Sequence, residues 1–589
     1  VFSRQPLKRC PLPLVIILVL AWLSCGRPES AIQKIGLVPL ENLSSDSALD
    51  WIGYVIPYVM ASQSIGAEDV VVQQADTGWQ GRAWRTDFVV EGYYVVKGGK
   101  LRVAVNRRDQ RRQRVAQRAE VEAPLDQGMI PLIAPLTAAV TGGRRELQWG
   151  RPDVIELLGR ALAAGDAKQK LELAHKAAQA EPKLTPAALV AAQLSLNAGD
   201  TASSGKVLEM ALASQPGGWE HFQLARALAA VQRDPEALLK ALQEGIRHTP
   251  NDPGLTRQLA ELHLGKHDHN RAAQWFQRTA ELEPEVPANW NSLAYSYAYG
   301  RRFPEAKAAV QRYLKLASAD PNVYDTMGEL HLMGGEFREA SEQFLEAQRR
   351  DPQFLGGLEF SKAAFATFLG GDRTAADQLF ARYIESRRAL KDAYAEIRHA
   401  HWLYLTGRTE GAFQAIRRLT SAEGEVGSRA NAFLTAWLVE EGKNQEAGET
   451  ARKAASLARS PISANMAMIC MFLAQPRASA SEWQSRADRA FVSAAAASVK
   501  NPVLAYALLL NGHVAEAATI WERLYRETPP TLADEVRILL GGAKATLGDR
   551  AAAAALLANY PLPPQPGEAL FASLYFRPLR KWRSQAGLP

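Results

Sequence analysis

The chain has 589 residues, 47% hydrophobic and 22% charged, the balance of a soluble protein and too long for a single core. Its 69 Lys and Arg against 62 Asp and Glu leave a net charge of +7, which suits acidic partners or anionic headgroups and does not mark a nucleic-acid binder. The three cysteines, Cys10, Cys25 and Cys470, show no CxxC or zinc spacing, which argues against a disulfide scaffold or a zinc module; Cys470, in MAMICMFLA, reads as a small buried hydrophobe.

At the start, Arg4, Lys8 and Arg9 precede an apolar run from Leu12 to Leu23 that ends in Ser24-Cys25-Gly26. A positive region, a short apolar region and a small residue describe a secretory signal peptide over 1–25, because a bilayer span needs about 20 apolar residues. The Leu23-Ser24-Cys25 ending resembles the lipobox of bacterial lipoproteins, with Trp22 where an aliphatic residue is usual. That resemblance implies acylation of Cys25 and an exported chain, lipid-anchored at the cell envelope and facing the periplasm. Without the anchor the chain is secreted.

Residues 30–147 read as a small αβ domain. Ile35 to Leu40 is a short strand, Leu49 to Met60 carries apolar residues at helical spacing, and Val70 to Val72 is a second strand. Asp87 to Val96, Lys97-Gly-Gly-Lys100 and Leu101 to Asn106 form a hairpin around a Gly-Gly turn; Val115 to Ala123 alternates again, and Met129 to Val140 closes as a helix. LVPLENLSSD before WIGYVIPYVM, with DFVVEGYYVVKGGKLRVAVNRRD downstream, resembles the TolB amino-terminal-like domain, which implies an accessory or binding fold and no catalytic residues. The helix usual in that family between the second strand and the hairpin is not evident in the polar stretch Gln73 to Trp84. Arg107, Arg108, Arg111, Arg112, Arg114 and Arg118 crowd the hairpin's return; arginine forks suit phosphate, so contact with anionic headgroups is one reading and a solvated, self-repelling loop the other.

From 148 to 560 a repeat takes over. PNVYDTMGELHLMGGEFREASEQFLEAQRRDP, Pro321 to Pro352, places Tyr324, Met327 and Gly328 on one helix and Ala340, Phe344 and Ala347 on the next. Steps of 34 back from Pro352 reach Ser318, then Pro284, Pro250, Pro216 and Pro182. Large and small residues in this order, at this period, resemble the tetratricopeptide (TPR) repeat, which implies antiparallel helix pairs stacked as a solenoid with a concave inner surface. Beyond 352 a turn Gly recurs five residues before an Ala: Gly371/Ala376, Gly407/Ala412, Gly442/Ala447, Gly512/Ala517 and Gly548/Ala553. Pro461 to Val499 is helical but out of phase and reads as a break. Residues 561–589 read as a terminal cap whose charged Arg577, Arg580, Lys581 and Arg583 suit a solvated end. The expected class is therefore α+β, a small αβ domain followed by a long all-α solenoid.

First-helix positions that avoid helix-pair contacts should line the concave face: Arg257, Glu261, Asn291, Tyr295, Tyr299, Asp325, Glu329 and Met333. Tyrosines amid mixed charge suit a partner's extended peptide or helix, and equally a solvated groove. Asp325 and Glu329 would repel a terminal carboxylate, which disfavours carboxylate-clamp binding. No phosphate-cradling loop, HExxH or GxSxG is present. His263, His267, Asp268 and His269 resemble a metal set only in density, since they fall at a helix contact and a turn. No cofactor is expected. The reading is a non-enzymatic scaffold of the envelope that binds protein partners through the array and the membrane through a lipid, with no nucleic acid expected. The alternatives are a sensory or regulatory component, and an enzyme with a site around Glu41, Asn42, Asp46 and Asp50.

Overall fold

The computed structural model describes residues 33–44, 46–64, 70–74, 86–124, 130–142, 151–530 and 533–589. Cys25, the signal-like segment and most of the polar stretch from Gln73 to Trp84 lie outside them. Two compact units divide between Leu259 and Ala260, inside the helix Pro253–Gly265.

The first unit opens on a mixed sheet. Its strands are β1 (Gln33–Leu37), β2 (Glu41–Asn42), β3 (Val70–Gln74), β4 (Phe88–Lys97), β5 (Lys100–Asp109) and β6 (Arg114–Pro124). They lie in the order β3-β1-β4-β5-β6, with β2 beside β4. β1 runs parallel to both β3 and β4, and β4 to β6 form an antiparallel meander. Strict alternation decides which face is buried: Leu101, Val103 and Val105 of β5 are at most 1% exposed, while Arg102 between them points to solvent. The helices Trp51–Gln63 and Ile130–Thr141 cover that apolar face with Ile52, Val55, Ile56, Ile133 and Leu136. On the other face, β6 carries charge, and Lys100–Glu122 pairs across strands at 3.2 Å.

Helix pairs follow within the same unit: Pro152–Ala163 with Ala167–Ala180, Thr185–Asn197 with Thr201–Ala213, and Gly218–Gln232 with Pro235–His248. Ile155, on the first of these helices, belongs to the sheet's core cluster, so the αβ region and the array share apolar contacts.

The second unit carries the array onward. Pro287–Tyr299 pairs with Phe303–Leu316, Pro321–Met333 with Phe337–Arg350, and Leu358–Leu369 with Arg373–Ala389. The turn chemistry explains the regular pairing. Gly335, Gly371, Gly407, Gly442, Gly512 and Gly548 all have positive φ, which ends each first helix without a Cβ penalty. The Ala five residues later is fully buried in every case, where the second helix meets its partner. Asp372 and Asp549 cap the second helices by accepting backbone N–H groups. Prolines at 287 and 321 also open first helices, 34 residues apart, since the first helical position needs no N–H.

The expected break at Pro461 to Val499 is not there. Ala467 and Phe472 of the helix Pro461–Leu473, Trp483 of the helix Ala480–Ala490, and Phe491 just beyond it join the same continuous core. The phase is lost because the turn lengthens, not because the stack stops. Cys470 is buried, donates to the Ala432 carbonyl at 3.4 Å, and burial pushes its thiol up to about 12.

Candidate functional site

Stacked first helices bring residues about one repeat apart into contact. Tyr295 Oη donates to Glu329 at 2.6 Å, and Thr326 donates to Asn291 at 3.1 Å. Lys362, on the next first helix, places its ammonium 2.5 Å from Asp325, 2.9 Å from Glu329 and 3.5 Å from Glu359. Burial pulls the lysine's pKa down, yet the three carboxylates together hold it above its usual value. Burial and then the Asp325 charge push Glu359 up to about 8. Tyr295 is raised well above the phenol range by burial and Glu329. Four ionisable groups around one ammonium are stable only with partners this close.

The concave face is not empty. After the last pair, Asp534–Thr546 with Arg550–Leu557, the chain turns back and crosses the inner face as residues 558–571, followed by the short helices Ala572–Phe576 and Leu579–Gln585. Asn559 donates to the Ala298 carbonyl at 3.0 Å, Tyr560 N–H to the Met333 carbonyl at 3.1 Å, and Leu562 N–H to Asp534 at 2.8 Å. Arg398, on the helix Ala395–Leu405, donates to the Pro566 carbonyl at 2.6 Å and to Glu568 at 2.7 Å. His401, one turn on, accepts the Gly567 N–H at Nδ1, 2.9 Å away. Further along, Ser573 donates to Glu440 at 2.5 Å, and Arg577 stacks over Tyr404 with its guanidinium 4.5 Å from the ring. Burial raises Glu440 to about 7.

This arrangement corrects the expectation of a solvated end. Leu574, Phe576 and Trp582 belong to the array's core, Arg583 is 4% exposed and donates to the Leu557 carbonyl, and Arg580 donates to the Leu369 carbonyl at 2.8 Å. Of the groove residues, Asp325, Glu329 and Met333 are buried, Asn291, Tyr295 and Tyr299 half-buried, and Arg257 and Glu261 lie on Pro253–Gly265, half-buried and exposed respectively. Of the residues that grip the C-terminal segment, Met333 was singled out from sequence, whereas Ala298, Arg398, His401 and Asp534 were not. Four prolines between Pro561 and Pro566 were the available signal, because they rule out helix and sheet and favour an extended chain.

The histidines serve a seam. His267 Nε2 lies 2.7 Å from the Tyr525 carbonyl and 3.0 Å from that of Thr528, so the late pairs of the array return to the early ones. His263 Nδ1 faces Asp268 at 3.7 Å, and His269 stacks on Tyr299 with its pKa lowered to about 4 by burial. Among the described residues, no three His, Cys, Asp or Glu gather as a metal site.

In the αβ region, Asn42 donates to Asp50 at 2.7 Å and to the Asp46 carbonyl at 3.0 Å, and Asp46 caps Ala48, so these side chains hold a turn. The six arginines are unequal. Arg107 donates to the Val140 carbonyl and lies over the Phe88 ring; Arg108 pairs with Glu91, Arg111 with Asp87 and Arg112 with Asp109. Arg114 and Arg118 stand exposed. Among the described residues, no helix is long and apolar enough to cross a membrane.

No family model matches the chain. It is 27% identical over 169 residues to a TPR repeat-containing protein of Pseudomonas aeruginosa, a stretch of 28% of this chain and 29% of that protein. Over 128 residues it is 26% identical to a general transcriptional corepressor of Dictyostelium discoideum, covering 21% of this chain and 9% of the other. The chain thus spans less than a third of either curated relative. A tetratricopeptide repeat protein from Parabacteroides merdae, of known crystal structure, aligns over 40% of this chain and 91% of its own, at 14% identity and a TM-score of 0.32. Helix pairs at this period, with these turns, make the second part of the chain a TPR-type array.

Proposed function

We propose that the protein is a non-enzymatic protein-interaction scaffold of the bacterial cell envelope, exported and held there by a lipid on Cys25. The observation that carries this reading is that the array's inner face holds an extended chain segment by backbone groups and a carboxylate. Arg398, His401 and Asp534 take a carbonyl and two N–H groups of residues 562–567, the kind of contact by which a groove takes a partner's peptide. TPR-type arrays act in protein–protein interaction, and the matched Pseudomonas aeruginosa protein is itself described by its TPR repeats. The αβ region acts as a TolB-like accessory module near the membrane, with exposed Arg114 and Arg118 available to anionic headgroups.

Affinity capture from bacterial envelope fractions, with the complete chain as bait, tests the scaffold. A specific partner lost on Arg398→Ala supports it; capture that needs only residues 30–147 rejects it. Metabolic acyl labelling tests the anchor: label abolished by Cys25→Ser is expected, and unlabelled soluble periplasmic protein refutes it.

A further inference from the structure

We propose that the inner face of the second unit is a proline-rich peptide site, held in cis by residues 559–568 and open in trans to a partner segment of the same chemistry. That segment is proline-rich and ends in a turn, with a carboxylate two residues after its last proline. The proposal rests on the scaffold reading and gives its groove an occupant.

The tail's prolines face the array: Pro561, Pro564 and Pro566 are buried, while Gln565 and Glu568 are exposed. Prolines at 561, 563, 564 and 566 favour an extended chain before it binds, and Gly567, at φ 78°, closes the stretch with a turn in which the Glu568 N–H donates to the Gln565 carbonyl at 3.1 Å. Prolines also remove donors, and the array supplies an acceptor for the N–H of Tyr560, Leu562 and Gly567 in turn.

The far end is a carboxylate receptor. Arg398, with its side chain 8% exposed, is fixed by Asp392 at 2.8 Å and turns its remaining donors to the Pro566 carbonyl and Glu568. Arg429, stacked 4.0 Å over the Tyr394 ring, donates to both Glu568 oxygens, to Oε2 at 3.2 Å and to Oε1 at 3.3 Å. The buried guanidinium of Arg398 and the half-buried one of Arg429 thus converge on a carboxylate that is itself 40% exposed, so an incoming acid has access to the same forks.

The segments on either side differ. Phe576 and Trp582 downstream and Leu557 upstream belong to the array's core, whereas residues 559–568 form no helix and pair with no strand. Tethering at both ends raises the tail's effective concentration to about millimolar, so the partner competes against the cis segment without displacing the fold.

The test uses the complete chain and a fluorescein-labelled peptide, YPLPPQPGEA, with a second peptide in which Gln replaces the Glu. Glu568→Lys in the chain sets a cation against Arg398 and Arg429 and loosens the cis segment. The expected result is peptide binding at least about tenfold tighter to this variant than to wild type, because apparent affinity scales with the vacant fraction. Most of that gain should vanish with the Gln peptide. Binding that is absent from Glu568→Lys despite faster amide exchange at Gly567, or that ignores the Glu-to-Gln change, overturns the proposal. If the variant fails to fold, wild type decides: saturating peptide must accelerate exchange at Leu562 and Gly567, and unchanged exchange overturns it. Envelope capture that persists while these tests fail leaves the scaffold standing and removes this groove from it.

Discussion

The Gly567 N–H donates to His401 Nδ1 at 2.9 Å, which fixes the imidazole as the tautomer protonated at Nε2. His401 is fully buried beside Phe433 and Trp437, and burial alone lowers its pKa from 6.5 to about 3. The folded state therefore binds fewer protons here than the unfolded chain at every pH between those values. Its stability contribution is complete above pH 6.5 and is lost as pH falls towards 3, at up to about 1.4 kcal/mol per pH unit. Denaturant melts of wild type and His401→Asn, which keeps an acceptor but no titration, should converge as pH drops from 7 to 4. Parallel curves would contradict the buried neutral ring.

Glu359 works in the opposite direction. Its folded pKa of about 8 lies above the usual 4.5, so the folded state holds a proton that the unfolded chain has released. Stability from this group is complete below pH 4.5 and is lost as pH rises through 8. Glu359→Gln should flatten the alkaline limb while leaving the pH 5 stability within about 1 kcal/mol, because the amide replaces an acid that is already neutral. Glu440 and Glu535, both raised to about 7 by burial, add to the same limb and persist in the variant.

Arg233 ends the helix Gly218–Gln232 in the left-handed conformation, at φ 55°, where the later repeats place glycine. An L side chain there costs about 1–2 kcal/mol. Arg233→Gly should therefore raise the denaturation midpoint, with a gain of about 1 kcal/mol after the entropy of the freer unfolded chain is subtracted. A lower midpoint would show that the arginine makes a compensating contact.

Gly328 lies against the ring of Phe344, and a Cβ built on it would stand 2.6 Å from that ring. Burying a phenylalanine contributes about 1.5–3 kcal/mol, so the ring cannot be expelled cheaply. Gly328→Ala should destabilise by about 1–3 kcal/mol through overpacking. Phe344→Leu added to it should recover part of the loss, a non-additivity that a double-mutant cycle on denaturant melts measures directly.

Much of the architecture was legible because it is written locally. The hairpin around Gly98-Gly99, the alternation of Leu101, Val103 and Val105, and the Gly-to-Ala spacing of five each describe neighbours in the chain. Those patterns place the helix pairs to within a few residues. The inner face was not legible in the same way. Asp325 and Glu329 look like free groove acids in sequence, yet Lys362, more than thirty residues on, neutralises them. Arg398 and Glu568 meet across 170 positions, and no local periodicity carries that pairing. The four basic residues near the C-terminus suggested solvent because charge was the only visible cue. Three of them instead reach carbonyls or an aromatic ring.

The seam at His267 has a consequence for how this array can vary. An open stack of repeats tolerates the gain or loss of a unit, since each contacts only its neighbours. Here the Tyr525 and Thr528 carbonyls must arrive at one imidazole, and Asn559 must arrive at the Ala298 carbonyl. Inserting or deleting one helix pair between 303 and 527 would shift both meetings by a whole step. The number of repeats in this segment is thus held by closure, as the number of staves is held by a hoop.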